Sequence, residues 1–411
     1  MSRIPRFRLE TNQLTIGYMT LLDSAPILWA AHKGYFRDAG LYVSLVREVS
    51  WASLRDRLAY GALDAAQCLA PMPMAATLGI DGVGVPLVTG LSLSQGGSAI
   101  TLSRSVAKRI GLKPDMNPLD SARAVASYVR LGGRLRLAHV YAFSMHHYLL
   151  RDWLALGGIQ LDHPSIEFLV APPAQMVRLL ESGAIDGFCA GEPWNTAAVR
   201  GKLGQIVTAT SAIWDGGADK VLGVTRQWSR AHPQTHRALI CALMMSLRDL
   251  ATEDVTQELT ALLLQREVLA VPEAWIKSAL VGSQALSPPR FANSLNGFPR
   301  QSQMLWCALQ MLRWRQWYKP QPLSRLCSQV CDSAAFADAA AALRLPIPAV
   351  DTVCEGAGRV ALGMDGSTVE TRFLSGGELN PENPAAYLTE RGWGIEAARA
   401  ALQSADESAL R

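Results

Sequence analysis

The chain has 411 residues, of which 49% are hydrophobic and 18% are charged. This composition is typical of a well-packed globular protein, and the length predicts two or three domains rather than one core. The net charge of +4 is too small on this length to indicate nucleic-acid binding. The seven cysteines are odd in number and scattered, which is typical of reduced thiols.

The sequence also gives an expectation for cellular location. Basic residues occur near the N-terminus, but no apolar run precedes the first predicted strand, which predicts no signal peptide. No window of bilayer-spanning length is both apolar and compatible with a helix, since residues 82–103 are uncharged but rich in glycine and serine. We therefore expect the chain to work in the cytosol.

The first part of the chain alternates strands with helices. A strand is predicted at Leu14–Tyr18, a helix capped by Asp23 begins at Pro26, and a second strand covers Tyr42–Val46. Another strand follows at Ala65–Leu69. This alternation predicts a parallel, doubly wound α/β sheet.

The stretch from residue 50 to residue 73 suggests where a ligand binds. Ser50 is placed to cap a helix that begins at Trp51, Gly61 is placed to end it, and Pro71 and Pro73 open a second helix after a short strand. In a parallel sheet such helix N-termini gather at the carboxyl edge of the strands, where small anions bind readily. The alternative is that every α/β sheet has such ends and that most are empty.

The same module recurs after residue 103. Strands are predicted at Leu135–His139, Ile166–Val170 and Ile185–Gly191, and a loop is expected at Ser94–Ser98. The segment 182–188 repeats the pattern of 60–66, in which a glycine precedes a short apolar strand containing aspartate. The repeat predicts two similar lobes with a cleft between them, followed from residue 233 by a mostly helical region.

Three charged or titratable residues lie near predicted strand or helix ends. His146 lies in the first turn of a helix, where it could donate to an anion or could be an ordinary helix-start histidine. Glu192 would repel an anion, so we expect it to accept hydrogen bonds from backbone N–H groups or to pair with a base. Lys220 precedes an apolar strand; it is either solvated or, at a cleft, the positive charge that a monovalent anion needs.

Other patterns favour structural interpretations. The basic and aromatic run at 304–319 could contact nucleic acid, but its apolar residues keep helical spacing, which favours a packed amphipathic helix. Cys327 and Cys331 lack a second Cys or His pair nearby and form a poor zinc motif. Since no catalytic triad elbow, phosphate loop, metalloprotease or dinucleotide motif is present, we expect a binding protein rather than an enzyme.

Several blocks of the sequence together resemble the nitrate- and bicarbonate-binding solute-receptor family, from about Gln13 to about Thr389. The blocks are SWASLRDRL…GALDAAQCLAPMPMAATLG, AFSMHHYLLRDWLA, GEPWN, DKVLGVT and FPRQSQMLW. The resemblance implies a type II periplasmic-binding-protein-like α/β fold, in which two lobes close on a small oxyanion without a cofactor or metal. It favours lobe one at 1–103 and 205–300, lobe two at 104–204, and a C-terminal helical extension at 301–411 packed on lobe one.

The resemblance also implies a set of ligand contacts. The bicarbonate receptors carry an acid where this chain has Lys220, so the lysine favours nitrate or nitrite. Tyr141 and Ala142 replace the family's usual His-Pro, and His147 replaces its usual Asn, which could alter selectivity. The residues implied to contact the anion are Trp51, Gln95, His146, Pro173, Gly191 and Lys220.

The expected cytosolic location favours one branch of this family. A cytosolic member is similar to the NasS-type nitrate/nitrite sensors, which hold an ANTAR-domain, NasT-like RNA-binding antiterminator inactive until the ligand arrives. One alternative is the substrate-binding protein of an ABC transporter for nitrate or bicarbonate. A second alternative is an enzyme on the same fold, similar to the thiamine-pyrimidine-precursor synthases, for which Cys327 and Cys331 are the only hint of an iron motif.

Overall fold

The structure is a computed structural model of the chain. It describes residues 4–159, 162–252, 254–265, 268–269, 271–282, 288–291, 295–317, 322–362 and 367–403. Among these residues, no helix is both long enough and apolar enough to cross a membrane.

The strands are named in chain order. They are β1 (Gln13–Met19), β2 (Tyr42–Glu48), β3 (Ala65–Leu69), β4 (Leu87–Gly96), β5 (Ser98–Ser103), β6 (Leu135–His139), β7 (Ile166–Val170), β8 (Gly187–Gly191), β9 (Gly204–Ala209), β10 (Trp214–Asp215), β11 (Ala218–Thr225), β12 (Pro289–Phe291), β13 (Gly358–Ala361) and β14 (Thr368–Phe373).

The helices are named in the same way. They are α1 (Ala25–His32), α2 (Tyr35–Asp38), α3 (Trp51–Ala59), α4 (Met72–Leu78), α5 (Arg104–Ile110), α6 (Pro118–Arg130), α7 (Met145–Leu156), α8 (Met176–Glu181), α9 (Trp194–Arg200), α10 (Thr210–Ile213), α11 (Arg226–Ala231), α12 (Pro233–Thr252), α13 (Thr256–Leu264), α14 (Glu273–Val281), α15 (Gln301–Arg313), α16 (Leu323–Val330), α17 (Ser333–Leu343), α18 (Pro384–Glu390) and α19 (Ile395–Gln403). Short 3-10 turns occupy Leu22–Ser24 and Pro173–Gln175.

Two sheets carry the fold, and both mix strand directions. The first has the order β12-β4-β11-β3-β1-β2, with β1 parallel to β2 and β3 but β11 antiparallel to β3 and β4. The second has the order β7-β6-β8-β5-β9, with β6 parallel to β7 and β8 but β5 antiparallel to β8 and β9. The predicted α/β class is confirmed, whereas the prediction of a wholly parallel sheet is wrong. The antiparallel pairs join strands distant in sequence, which a local alternation of elements does not reveal.

The chain crosses from the first sheet to the second at Gly97. Its φ of 74° lies in the left-handed region, and a Cβ atom there would lie 2.6 Å from the Pro289 Cβ, so the crossing requires glycine. The loop predicted at Ser94–Ser98 is therefore wrong, because β4 and β5 flank this single residue. Both β5 and β9 lie in the second sheet, although the predicted boundaries after residues 103 and 204 assign them to lobe one.

The start of α3 has the predicted local structure. The Ser50 side chain accepts a hydrogen bond from the Ser53 N–H at 3.1 Å, and Gly61 follows the helix with a φ of 75°. Trp51, in the first turn of this helix, is 1% exposed. Capping thus fixes the direction of the turn that carries Trp51 toward the interior.

The C-terminal region differs from its prediction. It is not only helical, because β13 and β14 form a hairpin that pairs with β10. It also contacts α7 and its neighbours as well as the first sheet: Arg313 pairs with Asp152, and the Tyr148 hydroxyl donates to the Gln316 side-chain oxygen at 2.7 Å. The extension thus packs on both lobes. Residues 304–313 of the aromatic run lie in the buried helix α15, and residues 318–319 of that run lie outside the described residues. The tail predicted as a helix up to Arg411 is described only to residue 403.

Candidate functional site

A buried lysine lies between two carboxylates where the two sheets meet. Lys220, on β11, is 0% exposed, and its Nζ lies 2.8 Å from Asp23 Oδ2 and 2.7 Å from Asp219 Oδ2. The interpretation of Lys220 as a solvated surface lysine is therefore wrong. A lysine is rarely buried without such partners, because transferring its charge from water is unfavourable.

Asp23 reaches this cluster from the turn that follows β1. Its Oδ1 accepts a hydrogen bond from Gln67 Nε2 at 2.6 Å, and the Gln67 side-chain oxygen accepts from the Met19 N–H at 3.0 Å. The sequence interpretation placed Asp23 as the cap of α1, but no side chain caps that helix and its N-cap residue is Ser24. Asp23 belongs instead to the lysine cluster.

The cluster has an asymmetric charge distribution. Burial raises the pKa of Asp219, but the charge of Lys220 and the hydrogen bonds from Lys220 and Ser98 act together against it, and the pKa lies below its usual range. Burial and the Asp219 charge raise the pKa of Asp23 against the opposing effect of Lys220. Burial lowers the pKa of Lys220, but the two carboxylates outweigh it and keep the lysine charged. The positive charge expected for an anion is therefore already matched by Asp219.

Trp51 and His146 complete the wall of the cluster. The Lys220 Nζ lies 5.8 Å from the centroid of the Trp51 ring, within the range of a cation–π contact, and the indole N–H has no hydrogen-bond partner among the described residues. His146 lies in the first turn of α7, is completely buried, and its Nε2 lies 3.0 Å from Ser98 Oγ. Both residues thus leave a polar group that a ligand could satisfy.

The hydrogen-bond network assigns the tautomer of His146. The Ser98 hydroxyl donates its only hydrogen to Asp219 Oδ2 at 3.0 Å, so it can only accept from the histidine. His146 Nε2 therefore carries the hydrogen, and its Nδ1 is a buried acceptor without a partner in the described part of the chain. Burial lowers the pKa of His146 to about 3, so the ring is neutral. In this state its open nitrogen does not supply the hydrogen-bond donor expected for an anion.

The three other predicted contacts have different surroundings. Gly191 ends β8 next to the cluster, since a Cβ atom there would lie 3.3 Å from Asp23 Oδ2. The Gln95 amide N–H group donates to the Gly216 carbonyl at 3.1 Å, and Pro173 is buried at the start of a 3-10 turn after β7. The contacts that join the cluster include neither Gln95 nor Pro173, and the set as a whole stays a prediction.

The two sides of the cleft are in contact. The Arg55 guanidinium on α3 bonds the Tyr141 hydroxyl, on the side of the second sheet, at 2.9 Å. The Leu22 N–H donates to the Glu192 carbonyl at 2.9 Å. These two contacts join the lobes across the cleft, and Tyr141 takes part in one of them.

His147, which the resemblance marks as a second unusual residue, lies deeper in the second lobe. His147 Nδ1 lies 2.9 Å from His139 Nε2, and His139 Nδ1 lies 3.1 Å from the Tyr141 carbonyl oxygen. His139 donates to that carbonyl through Nδ1, so His147 must be the donor within the pair. Burial lowers the pKa of both histidines, to about 4 in His139. The contacts of His147 thus join it to the lobe interior rather than to Lys220.

Glu192 has the structural role predicted for it. Its Oε2 accepts a hydrogen bond from the Thr196 N–H at 3.2 Å, while Oε1 has no partner within the described ranges. Burial raises the pKa of this carboxyl group from 4.5 to about 7. Among the residues described, no group of three or more His, Cys, Asp or Glu could hold a metal ion, and Cys327 and Cys331 are buried free thiols.

Two sheets of mixed strand direction, with a buried polar cluster where they meet, define a two-lobe ligand-binding protein of the periplasmic-binding-protein-like class. A crystal structure of the periplasmic nitrate-binding protein NrtA from Synechocystis matches 93% of this chain and 98% of its own, with a TM-score of 0.81 and 26% identity. The chain belongs to the NMT1-like family, whose model matches residues 8–264.

Its sequence relatives are named as anion-binding and transport proteins. The nitrate/nitrite binding protein NrtA of Synechococcus elongatus is 30% identical over an alignment of 404 positions, which covers 92% of this chain and 86% of that protein. The bicarbonate transport ATP-binding protein CmpC of the same organism is 33% identical over 392 residues, 94% of this chain and 56% of CmpC. The chain thus spans only about half the length of this longer relative. The named relatives are binding and transport proteins rather than metabolic enzymes.

The sequence did not reveal three members of the cluster: Asp23, Ser98 and Asp219. The sequence contained a signal for Asp219, because the carboxylate of an acid directly before a buried lysine on a strand can pair with that lysine. Ser98 and Asp23 had none, because the elements that carry them come together only through the antiparallel pairing of β5 with β8 and the contact between the lobes.

Proposed function

We propose that this chain binds nitrate or nitrite in the cleft between its lobes and acts as a cytosolic sensor of that anion. The observation that carries the proposal is the completely buried Lys220, which lies against Trp51 in a closed cleft. A related chain named as a nitrate/nitrite binding protein, together with a nitrate-binding protein of the same fold, supports this choice of ligand.

The cleft offers suitable chemistry for a small planar anion. Water is largely excluded, so each hydrogen bond to a ligand oxygen is stronger than in solvent. The Trp51 indole N–H is an unused donor, and Lys220 retains one ammonium hydrogen beyond those directed at Asp23 and Asp219. The absence of a side chain at Gly191 allows the end of β8 to approach Asp23, since a Cβ atom there would lie 3.3 Å from Oδ2.

Trp51→Phe tests the anion site with little change in the packed ring. We expect calorimetry to show nitrate affinity reduced by about one to two orders of magnitude, because one hydrogen bond to a charged partner is worth roughly 1.5–3 kcal/mol. Trp228→Phe on α11 is the matched control and should bind as the wild type does. Equal affinity in Trp51→Phe and the wild type would contradict the assignment of the indole N–H.

The sensor part of the proposal concerns an ANTAR-domain, NasT-like RNA-binding antiterminator. Such a partner works on RNA, which requires this chain to work in the cytosol. A ligand shifts an equilibrium only by its differential affinity for two states, so the partner must prefer the open or the closed form. Closure changes the surface near Arg55 and Tyr141, which join the lobes.

The partner is tested by mixing the purified chain with the purified ANTAR-domain protein in the presence and absence of nitrate. We expect a complex without the anion and its dissociation when nitrate or nitrite is added. Nitrate binding without any complex would contradict the sensor function and leave the anion site intact.

A substrate-binding protein of an ABC transporter is the second candidate. The names of the relatives, which include a bicarbonate transport protein, favour it. In that case a strain that lacks the chain would lose nitrate or bicarbonate uptake while antitermination stays normal. A sensor gives the reverse result, so the same strain separates the two candidates.

A further inference from the structure

The Asp23 carboxyl group has two oxygens in different environments. Oδ1 accepts the short hydrogen bond from Gln67, whereas Oδ2 lies 2.8 Å from Lys220 Nζ in an ion pair and has no further hydrogen-bond donor among the described residues. Asp23 is 2% exposed, and Oδ2 is the atom nearest to the end of β8, where Gly191 lies. This oxygen is therefore a buried polar atom directed at the candidate site.

The charges around Asp23 determine what an anion would meet. Asp219 shares Lys220 and also accepts from Ser98, so the lysine and Asp219 together are neutral. An ionised Asp23 would then leave one uncompensated negative charge beside the ligand. Like charges this close in a water-excluded site repel strongly, so an ionised Asp23 excludes a monovalent anion that has no proton of its own to donate to the carboxylate.

We propose that Asp23 carries a proton on Oδ2 when the cleft holds nitrate or nitrite, and that this carboxyl group donates a hydrogen bond to the anion. Asp23 is thereby a specificity-determining residue that couples anion binding to the uptake of one proton. The inference rests on the proposed function, since it concerns the same cleft.

The chemistry differs for an oxyanion that carries its own proton. Nitrate and nitrite have only acceptor oxygens at neutral pH, so the proton must come from solvent and add to Asp23 Oδ2. Hydrogen carbonate has an O–H group, which can donate to the ionised Asp23 carboxylate without proton uptake. Asp23 thus separates the two classes of ligand by the number of protons that each brings.

The other titratable groups near the site are poorer proton carriers. Lys220 and Asp219 on β11 are committed to their ion pair, and the Cys189 thiol on β8 stays protonated because burial raises its pKa. His146 on α7 is neutral, and protonating it would place a second cation beside Lys220. Burial raises the pKa of Asp23, and its Oδ2 lies between Lys220 and the end of β8, so Asp23 is the group best placed to take up the proton beside the ligand.

Calorimetry in two buffers with different ionisation heats measures the proton directly. We expect nitrate binding to the wild-type chain to take up one proton where free Asp23 is ionised, and the affinity to fall tenfold per pH unit above the Asp23 pKa. Asp23→Asn keeps an N–H donor at this position and removes the titration. Its nitrate affinity should be independent of pH between about pH 6 and about pH 9, and its preference for nitrate over bicarbonate should rise at least tenfold at about pH 8.

Glu192→Gln is the matched control, because it removes a buried carboxyl group that also has an unpartnered oxygen among the described residues but lies outside the lysine cluster. It should leave the proton uptake unchanged. Nitrate binding without proton uptake, or an uptake lost in Glu192→Gln but kept in Asp23→Asn, would overturn the assignment of Asp23. If Asp23→Asn fails to fold, the two-buffer experiment on the wild type decides alone. An absence of nitrate and nitrite binding at every pH would instead refute the proposed function.

Discussion

Replacing Lys220 with methionine removes the charge from the centre of the cluster and keeps an unbranched side chain of similar length. In the wild type, Lys220 forms ion pairs with both Asp23 and Asp219, and all three side chains are at most 5% exposed. Breaking a buried pair by removing one partner is destabilising by about 3–5 kcal/mol, because a carboxylate remains buried without compensation. We expect Lys220→Met to lower the free energy of unfolding by this amount near neutral pH.

The loss of stability in Lys220→Met should depend on pH. Without the lysine, burial raises the pKa of both carboxyl groups above their unfolded value of about 3.9. The folded variant then binds more protons than the unfolded chain, so its stability falls as the pH rises. The deficit relative to the wild type should be small at about pH 4 and should grow to its full size above about pH 7.

Urea unfolding followed by circular dichroism, repeated across this pH range, measures the effect. A double variant that adds Asp219→Asn to Lys220→Met should recover about 0.5–3 kcal/mol, since the residues are in contact. Lys33→Met is the exposed control and should change stability by less than about 1 kcal/mol. A deficit in Lys220→Met below about 1 kcal/mol at every pH would refute the reasoning about the buried charges.

Three further predictions concern closure, capping and a second buried acid. Tyr141→Phe removes the hydroxyl bonded to Arg55 and should weaken anion binding about fivefold in calorimetry, because about 1 kcal/mol of closed-state stabilisation is lost. Ser50→Ala removes the cap that accepts from Ser53 and should lower the free energy of unfolding by about 1 kcal/mol in urea. Burial raises the pKa of Glu192 from 4.5 to about 7, so the folded chain holds this proton more tightly than the unfolded chain and loses stability as the pH rises. Glu192→Gln should therefore stabilise the fold by about 3 kcal/mol above pH 7 and should have no such effect below about pH 4.

Each of these variants has its own check. Tyr60→Phe removes an exposed tyrosine hydroxyl next to the same helix and should bind anions as the wild type does. Ser50→Asp keeps a capping oxygen and should restore most of the lost stability, so equal losses in both Ser50 variants would argue against capping. A stability gain in Glu192→Gln that is constant with pH would contradict the assignment of a raised pKa.

Local features of the fold were predictable from the sequence. Ser50 and Gly61 bound α3 as their capping preferences predict, and the strand at Ala65–Leu69 has the predicted limits. Such features depend on neighbouring residues. The antiparallel strands β4 and β11 could not be predicted in this way, because each finds its partner far away in the chain.

The candidate site was predictable only in part, for the same physical reason. Trp51, His146 and Lys220 lie close together, with His146 linked to Asp219 through Ser98, and their contact with an anion stays a prediction. The charge state of the cluster was not predictable, because it depends on Asp23, which arrives from another turn. Asp23 fits the local pattern of a helix cap, so the sequence did not indicate that it belongs to the site.

The most direct test of the anion cleft is a thermal-unfolding scan of the wild-type chain with nitrate, nitrite, bicarbonate or sulfate added separately. A ligand at a hundredfold excess over its dissociation constant stabilises the folded state by about 2.7 kcal/mol, which is visible as a rise in Tm. We predict a rise with nitrate and nitrite that exceeds any rise with bicarbonate, and none with sulfate. An unchanged Tm with all four anions would contradict the account.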